Sequence, residues 1–311
     1  MSLYLHTNIS SLKSRNALNI STKTLDTSYE RLSSGLRINS AKDDPAGVQT
    51  SDRLTTEIDS LSQTNRNAQN AISYAQTAEG ALEEITSMLQ RIRVLALQSA
   101  NGIYTSNDRL ALQQEVDALN EEICRISEDT TFAGEDILNG TASVVRFQIS
   151  PDPNSIIKID LRVGFNTSSI AYLAAKYTGS DTFEIPAHDT LTASVYCKYT
   201  ELFSYKVNGG GIDITTASKA QMILAGVDGL LRAIDSKRAE FGAVQNRLEA
   251  TIRNQENIKE NVSSSRSQIR DTDWADEVSK MTAAQILQQG SVSILTQANS
   301  RPEIALQILQ S

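Results

Sequence analysis

Cysteine, histidine, proline and aromatic residues are all scarce in this chain of 311 residues, and each scarcity excludes something. The two cysteines, Cys124 and Cys197, are too few for a disulfide framework, and no pairing between them follows from the sequence. With only two histidines, His6 and His188, and no CxxC or HExxH run, no metal site and no cofactor are expected. Aromatics make up 5% of the residues, too few large side chains for one broad globular core. No stretch of about 18 apolar residues occurs, so no membrane insertion is expected. Basic charge is not in excess: 29 Lys and Arg stand against 37 Asp and Glu, a net charge of −8, so nucleic acid is not an expected partner. The opening Met1 to Asn8 has neither the basic start nor the apolar stretch of a Sec signal peptide, and export by another route is the expectation if the chain leaves the cell. Asp43 and Asp44 are adjacent carboxylates with no histidine or third acid near them in sequence, and read as packing or ion-pairing residues, so an enzyme is not expected.

What the chain has is Ala, Ser, Asn, Gln and Leu at helical spacing. Its five prolines are Pro45, Pro151, Pro153, Pro186 and Pro302, so residues 46–150 and 187–301 are free to form long helices. A first helix is predicted over residues 9–33, with Leu18, Leu25 and Leu32 seven apart and Ile9, Leu12 and Tyr29 beside them. That stripe is too narrow to hold a helix alone in water. A second is predicted over 47–100. Leu61, Ala68, Ala75, Leu82, Leu89 and Ala96 form an unbroken seven-residue column, and Ile58, Ile72, Ile85 and Ile92 form a second column with one slip after Ile72. A third helix is predicted over 108–128.

The period then changes to two. Val145, Phe147 and Ile149 alternate, as do Ile157, Ile159, Leu161 and Val163, which predicts a β-hairpin. Residues 165–211 give weaker strand signals at 193–199 and 203–207 and read as a small β-rich surface insert, with Gly209 to Gly211 as a turn. Removing residues 170–205 is therefore expected to leave the rest intact. In the last third, Ile223, Leu230, Val244 and Ile258 make one column and Val227, Ile234, Phe241, Leu248, Val262 and Ile269 the other, over about seven heptads, with Lys237, Thr251 and Gln255 interrupting. A final helix is predicted over 276–299, with Val278, Met281, Val292 and Leu295 on one face and Pro302 breaking it. The fold class is mainly α: long antiparallel coiled-coil helices forming a rod, with a β-hairpin and a small β-rich insert at the outer pole. Cys124 reads as a small half-buried residue, Trp274 as a packing residue, and the Asn-x-Ser/Thr triplets beginning at Asn8, Asn19, Asn139, Asn166 and Asn261 as chance.

Specific runs then match a known family. Arg31-Leu-Ser-Ser-Gly-Leu-Arg-Ile-Asn-Ser-Ala-Lys-Asp-Asp-Pro-Ala-Gly47, Gln63-Thr-Asn-Arg-Asn-Ala68, Ala75-Gln-Thr-Ala-Glu-Gly-Ala-Leu82 and Leu89-Gln-Arg-Ile-Arg93 resemble the N-terminal signature of bacterial flagellins. Phe241-Gly-Ala-Val-Gln-Asn-Arg-Leu248, Ser265-Arg-Ser-Gln-Ile-Arg-Asp-Thr-Asp-Trp-Ala-Asp-Glu277 and Gln285-Ile-Leu-Gln-Gln289 resemble the C-terminal one. The resemblance covers about residues 1–164 and 215–311 and leaves the middle out. It implies a non-enzymatic subunit of the hollow helical flagellar filament, a homopolymer that drives swimming, secreted unfolded by type III export and folded at the tip. An alternative is the hook–filament junction protein, which shares the terminal helices.

The resemblance also implies a division of the chain: 1–44 as an inner-tube helix, 45–164 as the N-terminal part of a spoke, 165–214 as the variable insert, 215–270 as the spoke's C-terminal helix and 271–311 as the second inner-tube helix. Inner-tube packing would fall to Leu18, Leu25, Leu32, Val278, Met281, Val292 and Leu295, and the spoke core to Leu61, Leu82, Leu89, Ile234, Phe241 and Leu248. Arg91, Leu95 and Glu115 match positions of an innate immune receptor (Toll-like receptor) epitope, although Val94 stands where many flagellins carry Glu. Implied partners are an export chaperone, the export apparatus, the filament cap and hook-associated proteins.

Overall fold

The computed structural model describes residues 8–178, 182–185, 195–199 and 211–310. The strand signal at 203–207, His6, His188, Gly209 and Gly210 lie outside the described residues. The chain separates into two compact units, one of residues 1–59 with 257–311 and one of 60–256. The division falls inside the two longest helices.

Local chemistry sets the helix ends. Helix α1, Ile9–Ser34, starts at Asn8, whose side chain accepts from the Ser11 amide, and ends at Gly35 with φ +72°, a left-handed cap that returns its N–H to the Arg31 carbonyl at 2.8 Å. Helix α2, Pro45–Ala100, opens with proline in its first turn and the Asp44 carboxylate accepting from the Ala46 amide at 3.1 Å. Helix α3, Ser106–Asp129, carries a full capping box between Thr105 and Asp108. Two residue pairs, β1 (Thr131–Phe132) and β2 (Glu135–Asp136), turn through Ala133 and Gly134, both at positive φ. The predicted hairpin is present as β3 (Val144–Gln148) and β4 (Ile156–Asp160), antiparallel with Val145 opposite Ile159 and Phe147 opposite Ile157.

Helix α4, Thr167–Thr178, follows, then β5 (Thr182–Ile185) antiparallel to β6 (Val195–Lys198). Helix α5 is Ala217–Arg270 and α6 is Trp274–Gln310. The Asp273 carboxylate accepts from the Ala275 and Asp276 amides at the start of α6.

In the 60–256 unit, α2 and α5 run antiparallel. Thr64 meets Gln255, Glu79 meets Gln245, and Arg93 pairs with Asp228 at 2.9 Å. Leu61, Leu82, Leu89, Ile234, Phe241 and Leu248, the expected spoke core, are all buried. The second α2 column runs through Thr64, Ala71, Ala78, Ile85, Ile92 and Ser99. The apparent slip after Ile72 therefore disappears: Ile72 is beside the seam, and Ala71 and Ala78 continue it. On α5 the seam passes through buried Lys237 and Gln255, and Ile258 is exposed. Lys237 Nζ donates to the Asp160 carbonyl at 3.0 Å and pairs with Glu240, and Gln255 donates to the Ile149 carbonyl, so these buried polar groups tie the hairpin to the helices. Tyr74 packs edge-on against Phe132 and Phe147 above the alanines of α2, with ring centroids 5.3 and 5.6 Å apart.

Two details differ from expectation. Among the described residues, the segment after residue 164 holds helix α4 beside the β5–β6 pair, and much of it is buried. Phe165, Ile170, Ala171, Leu173, Ala174, Cys197, Tyr199, Ile212 and Ile214 belong to the same core as the long helices. Asn166 caps α4, and the apolar side chains at 170, 173 and 174 have helical spacing that the period-two reading passed over. Gln113, itself buried, clasps the return segment with both ends of its amide, donating to the Ile212 carbonyl and accepting from the Ile214 amide, each at 2.7 Å. Tyr199 lies on α5 at Gly229, where any Cβ would come within 2.6 Å of the ring. Gly229→Ala should therefore destabilise this unit by about 1–3 kcal/mol through overpacking, read as a lower midpoint in thermal unfolding followed by circular dichroism; an unchanged midpoint would refute the close fit.

The second difference concerns Pro302, which does not break α6. A proline inside a helix leaves the carbonyl four residues earlier without its donor. Here that carbonyl is Ala298, and it receives a hydrogen bond from Asn8 Nδ2 at 2.7 Å instead.

Candidate assembly surface

In the unit formed by the chain ends, α1 and α6 lie antiparallel. Ser28 Oγ donates to Glu277 Oε1 at 2.7 Å, Gln285 Nε2 donates to Tyr29 Oη, Gln288 Nε2 to Thr22 Oγ1, and Asn8 reaches Ala298. Their seam follows heptad spacing. On α1 it is Ser14, Leu18, Ser21, Leu25, Ser28 and Leu32, and on α6 it is Glu277, Met281, Ala284, Gln288, Ser291, Leu295 and Ala298, all buried or half-buried.

The seam mixes leucine and methionine with serine, alanine and glutamine, and a second set of large apolar side chains lies outside it. Ile9, Leu12, Ile20 and Tyr29 on α1 and Trp274, Val278, Ile286, Leu287, Val292 and Ile294 on α6 are exposed, Ile286 to 64% and Trp274 to 57%. Of the seven residues expected to pack an inner tube, Leu18, Leu25, Leu32, Met281 and Leu295 face the partner helix of the same chain. Val278 and Val292 sit next to the seam on the open side. Trp274, read as a packing residue, packs against little within its own chain. Exposed apolar side chains repeated along both helices mark an interaction surface rather than a finished fold.

The two signature runs meet at the base of this pair. Leu36 bridges Asp271 in antiparallel fashion, the Arg37 amide donates to the Arg270 carbonyl at 2.7 Å, and the Thr272 amide donates to the Gly35 carbonyl at 3.0 Å. Asp43 accepts from the amides of Ser40 and Asn39 and from the Ser40 hydroxyl. The Ser40 backbone hydrogen bond, with the others adding to it, holds its carboxyl below the usual carboxylate range. Asp43 and Asp44 thus shape the turn into α2; both act on backbone amides rather than in ion pairs. Nearby, Glu277 is only 3% exposed, pairs with Arg31 at 3.6 Å, and carries a charge from one signature run against a charge from the other.

Sequence periodicity missed this acid because a charged residue does not register as a seam position. The capping pattern before Trp274, with acids in the first turn, was the available signal.

In the other unit, Arg91 and Glu115 form an exposed ion pair at 2.6 Å, while Leu95 is 1% exposed and belongs to the hydrophobic core. The structure therefore joins Arg91 to Glu115 and buries Leu95. Cys124 is half-buried with Sγ 3.7 Å from Thr167 Oγ1, and both cysteines are free. Among the described residues, no group of side chains could hold a metal ion and no helix is long and apolar enough to cross a membrane.

Comparison with known proteins gives the arrangement a lineage. Residues 5–143 match the family described as the bacterial flagellin N-terminal helical region, and residues 224–309 match the bacterial flagellin C-terminal helical region. Flagellin B of Vibrio cholerae serotype O1 is 39% identical, with 99% of this chain and all of that protein covered. Flagellin A of Vibrio anguillarum is 38% identical with both chains wholly covered. Among solved structures, a putative flagellar hook-associated protein from Vibrio parahaemolyticus shares the fold at a TM-score of 0.53 and 15% identity, covering 74% of this chain and all of that one. Bacillus cereus flagellin is 25% identical over 61% of this chain and 88% of its own, with a TM-score of 0.44. With both terminal helical regions matched and full-length relatives well above 30% identity, the chain belongs to the bacterial flagellin family.

Proposed function

We propose that this protein is the structural subunit of a bacterial flagellar filament, assembling outside the cell as a homopolymer through the open faces of α1 and α6. One observation carries the reading: the terminal helices close on each other through a narrow seam of leucine, serine, alanine and glutamine and leave a second set of apolar side chains, among them Ile20, Trp274, Ile286, Leu287 and Ile294, uncovered. A pair built in this way covers its apolar side only against further copies, and a repeated contact that does not close on itself generates an open helix. Val278, Val292 and Trp274 are then contacts between copies, while Leu18, Leu25, Leu32, Met281 and Leu295 hold each copy's own pair.

Full-length identity to flagellins A, B and D favours a filament subunit over a hook–filament junction ring. Type III export with a chaperone, folding beneath a cap and contact with hook-associated proteins complete the reading. Two unbridged cysteines and a helical fold suit a chain that must travel unfolded and fold afterwards. Recognition by a Toll-like receptor would work through the Arg91–Glu115 pair, because the Leu95 side chain is committed to the core.

The test is assembly. Full-length protein added to sheared seeds should grow long filaments under the electron microscope. Protein lacking residues 1–34 should grow none while its 60–256 unit still unfolds cooperatively on heating. Normal filaments from the truncated chain would remove α1 from the mechanism, and failure of the full-length chain to extend seeds would refute the filament reading.

A further inference from the structure

Asn8 touches both terminal helices with one side chain. Its Oδ1 accepts from the Ser11 amide at 3.1 Å, capping α1, and its Nδ2 donates to the Ala298 carbonyl at 2.7 Å, 290 residues along the chain. Only one orientation of the side-chain amide satisfies both, since a flip would set NH2 against N–H and oxygen against oxygen.

The carbonyl it reaches is the one that needs it. In an α-helix the Ala298 carbonyl takes its hydrogen from the amide of residue 302, and residue 302 is proline. Ala298 is 5% exposed, which leaves water little access to take the place of the missing donor. An unmet buried carbonyl is costly, and a helix that runs on to Gln310 has to continue past it.

We propose that Asn8 is a register-setting residue that makes the continuation of α6 through Pro302 conditional on the docking of α1. The two chain ends then order together: the first turn of α1 and the turns of α6 around Pro302 share one amide. No neighbouring register serves, because a shift of α1 by one residue along α6 would present Asn8 to a carbonyl that already holds its own helical donor. The proposal refers to the pairing of α1 and α6 within one chain and does not require the assembly reading.

The test is a cycle of four full-length proteins: the parent, Asn8→Ser, Pro302→Ala and the double variant. Serine keeps the helix cap and loses the reach to Ala298. Amide hydrogen exchange of peptides spanning residues 299–310 is read in filaments, or in the free chain if that is the form in which 274–298 is protected. Asn8→Ser should speed exchange there by about tenfold. In the Pro302→Ala background, where the residue 302 amide supplies the donor, the same change should have close to no effect. Asn8→Asp, which keeps the cap but sets a carboxylate against the carbonyl, should be worse than Asn8→Ser with Pro302 present. Equal effects of Asn8→Ser in both backgrounds, or no protection of the α6 segment in either form, would overturn the proposal. Loss of filaments with protection retained would instead count against the assembly reading alone.

Discussion

Excision of residues 170–205 is expected to leave no cooperative unfolding transition in the 60–256 unit. Ile170, Ala171, Leu173 and Ala174 are each 1% exposed or less, and they close the same core as Leu82, Ile137 and Leu230. Removing them strips Ile170 and Leu173, each contributing about 1.5–3 kcal/mol by burial, and bares the surfaces they cover. Against a typical domain stability of about 5–15 kcal/mol, that loss and the matching exposure take most of the margin. Differential scanning calorimetry decides it. A milder version, Leu173→Ala, should cost about 2–5 kcal/mol and still fold, which separates a core role from a misplaced junction. A deletion variant that melts like the parent would restore the segment to the status of a surface insert.

Glu277→Ala should raise the concentration of free subunit in equilibrium with filament by about 30- to 150-fold. The Glu277 carboxylate accepts from Ser28 Oγ and faces Arg31 at 3.6 Å and Lys280 at 3.9 Å. Removing one partner of a buried pair strands the other, and Arg31 Nε already lacks a hydrogen-bond partner. Since the Arg31 side chain is 26% exposed, solvent recovers part of the loss, and about 2–3 kcal/mol per subunit is expected. Glu277→Gln should fall between parent and alanine, because the amide oxygen still accepts from Ser28 while the charge pairing is gone. Sedimentation at fixed ionic strength measures the free subunit. An alanine variant matching the parent would mean that the α1–α6 register is set elsewhere on the seam.

Much of the long-helix layout was legible in the sequence, because heptads of Leu, Ile and Phe stand out wherever the buried side chains are large. Leu61, Leu82, Leu89, Ile234, Phe241 and Leu248 were found in this way and are buried. Reading failed where burial and hydrophobicity part company. Ser28 and Glu277 occupy seam positions as polar residues and Ala71 and Ala78 as small ones, while Trp274 reads as a packing residue and is 57% exposed. Helix α4 was missed because twelve residues give too few turns for a period to emerge beside strong strand formers. Pro302 misled because the compensating donor is at the opposite end of the chain, beyond any local pattern.

The backbone tie between the Gly35–Arg37 and Arg270–Thr272 connections has a mechanical consequence. A force that tries to peel α1 from the molecule must break amide-to-carbonyl bonds to the strand leading into α6, so the load passes to both helices together. Twisting strain delivered to one end of the polypeptide is therefore borne by the other as well, as in a clamped two-ply cord that does not fray one ply at a time.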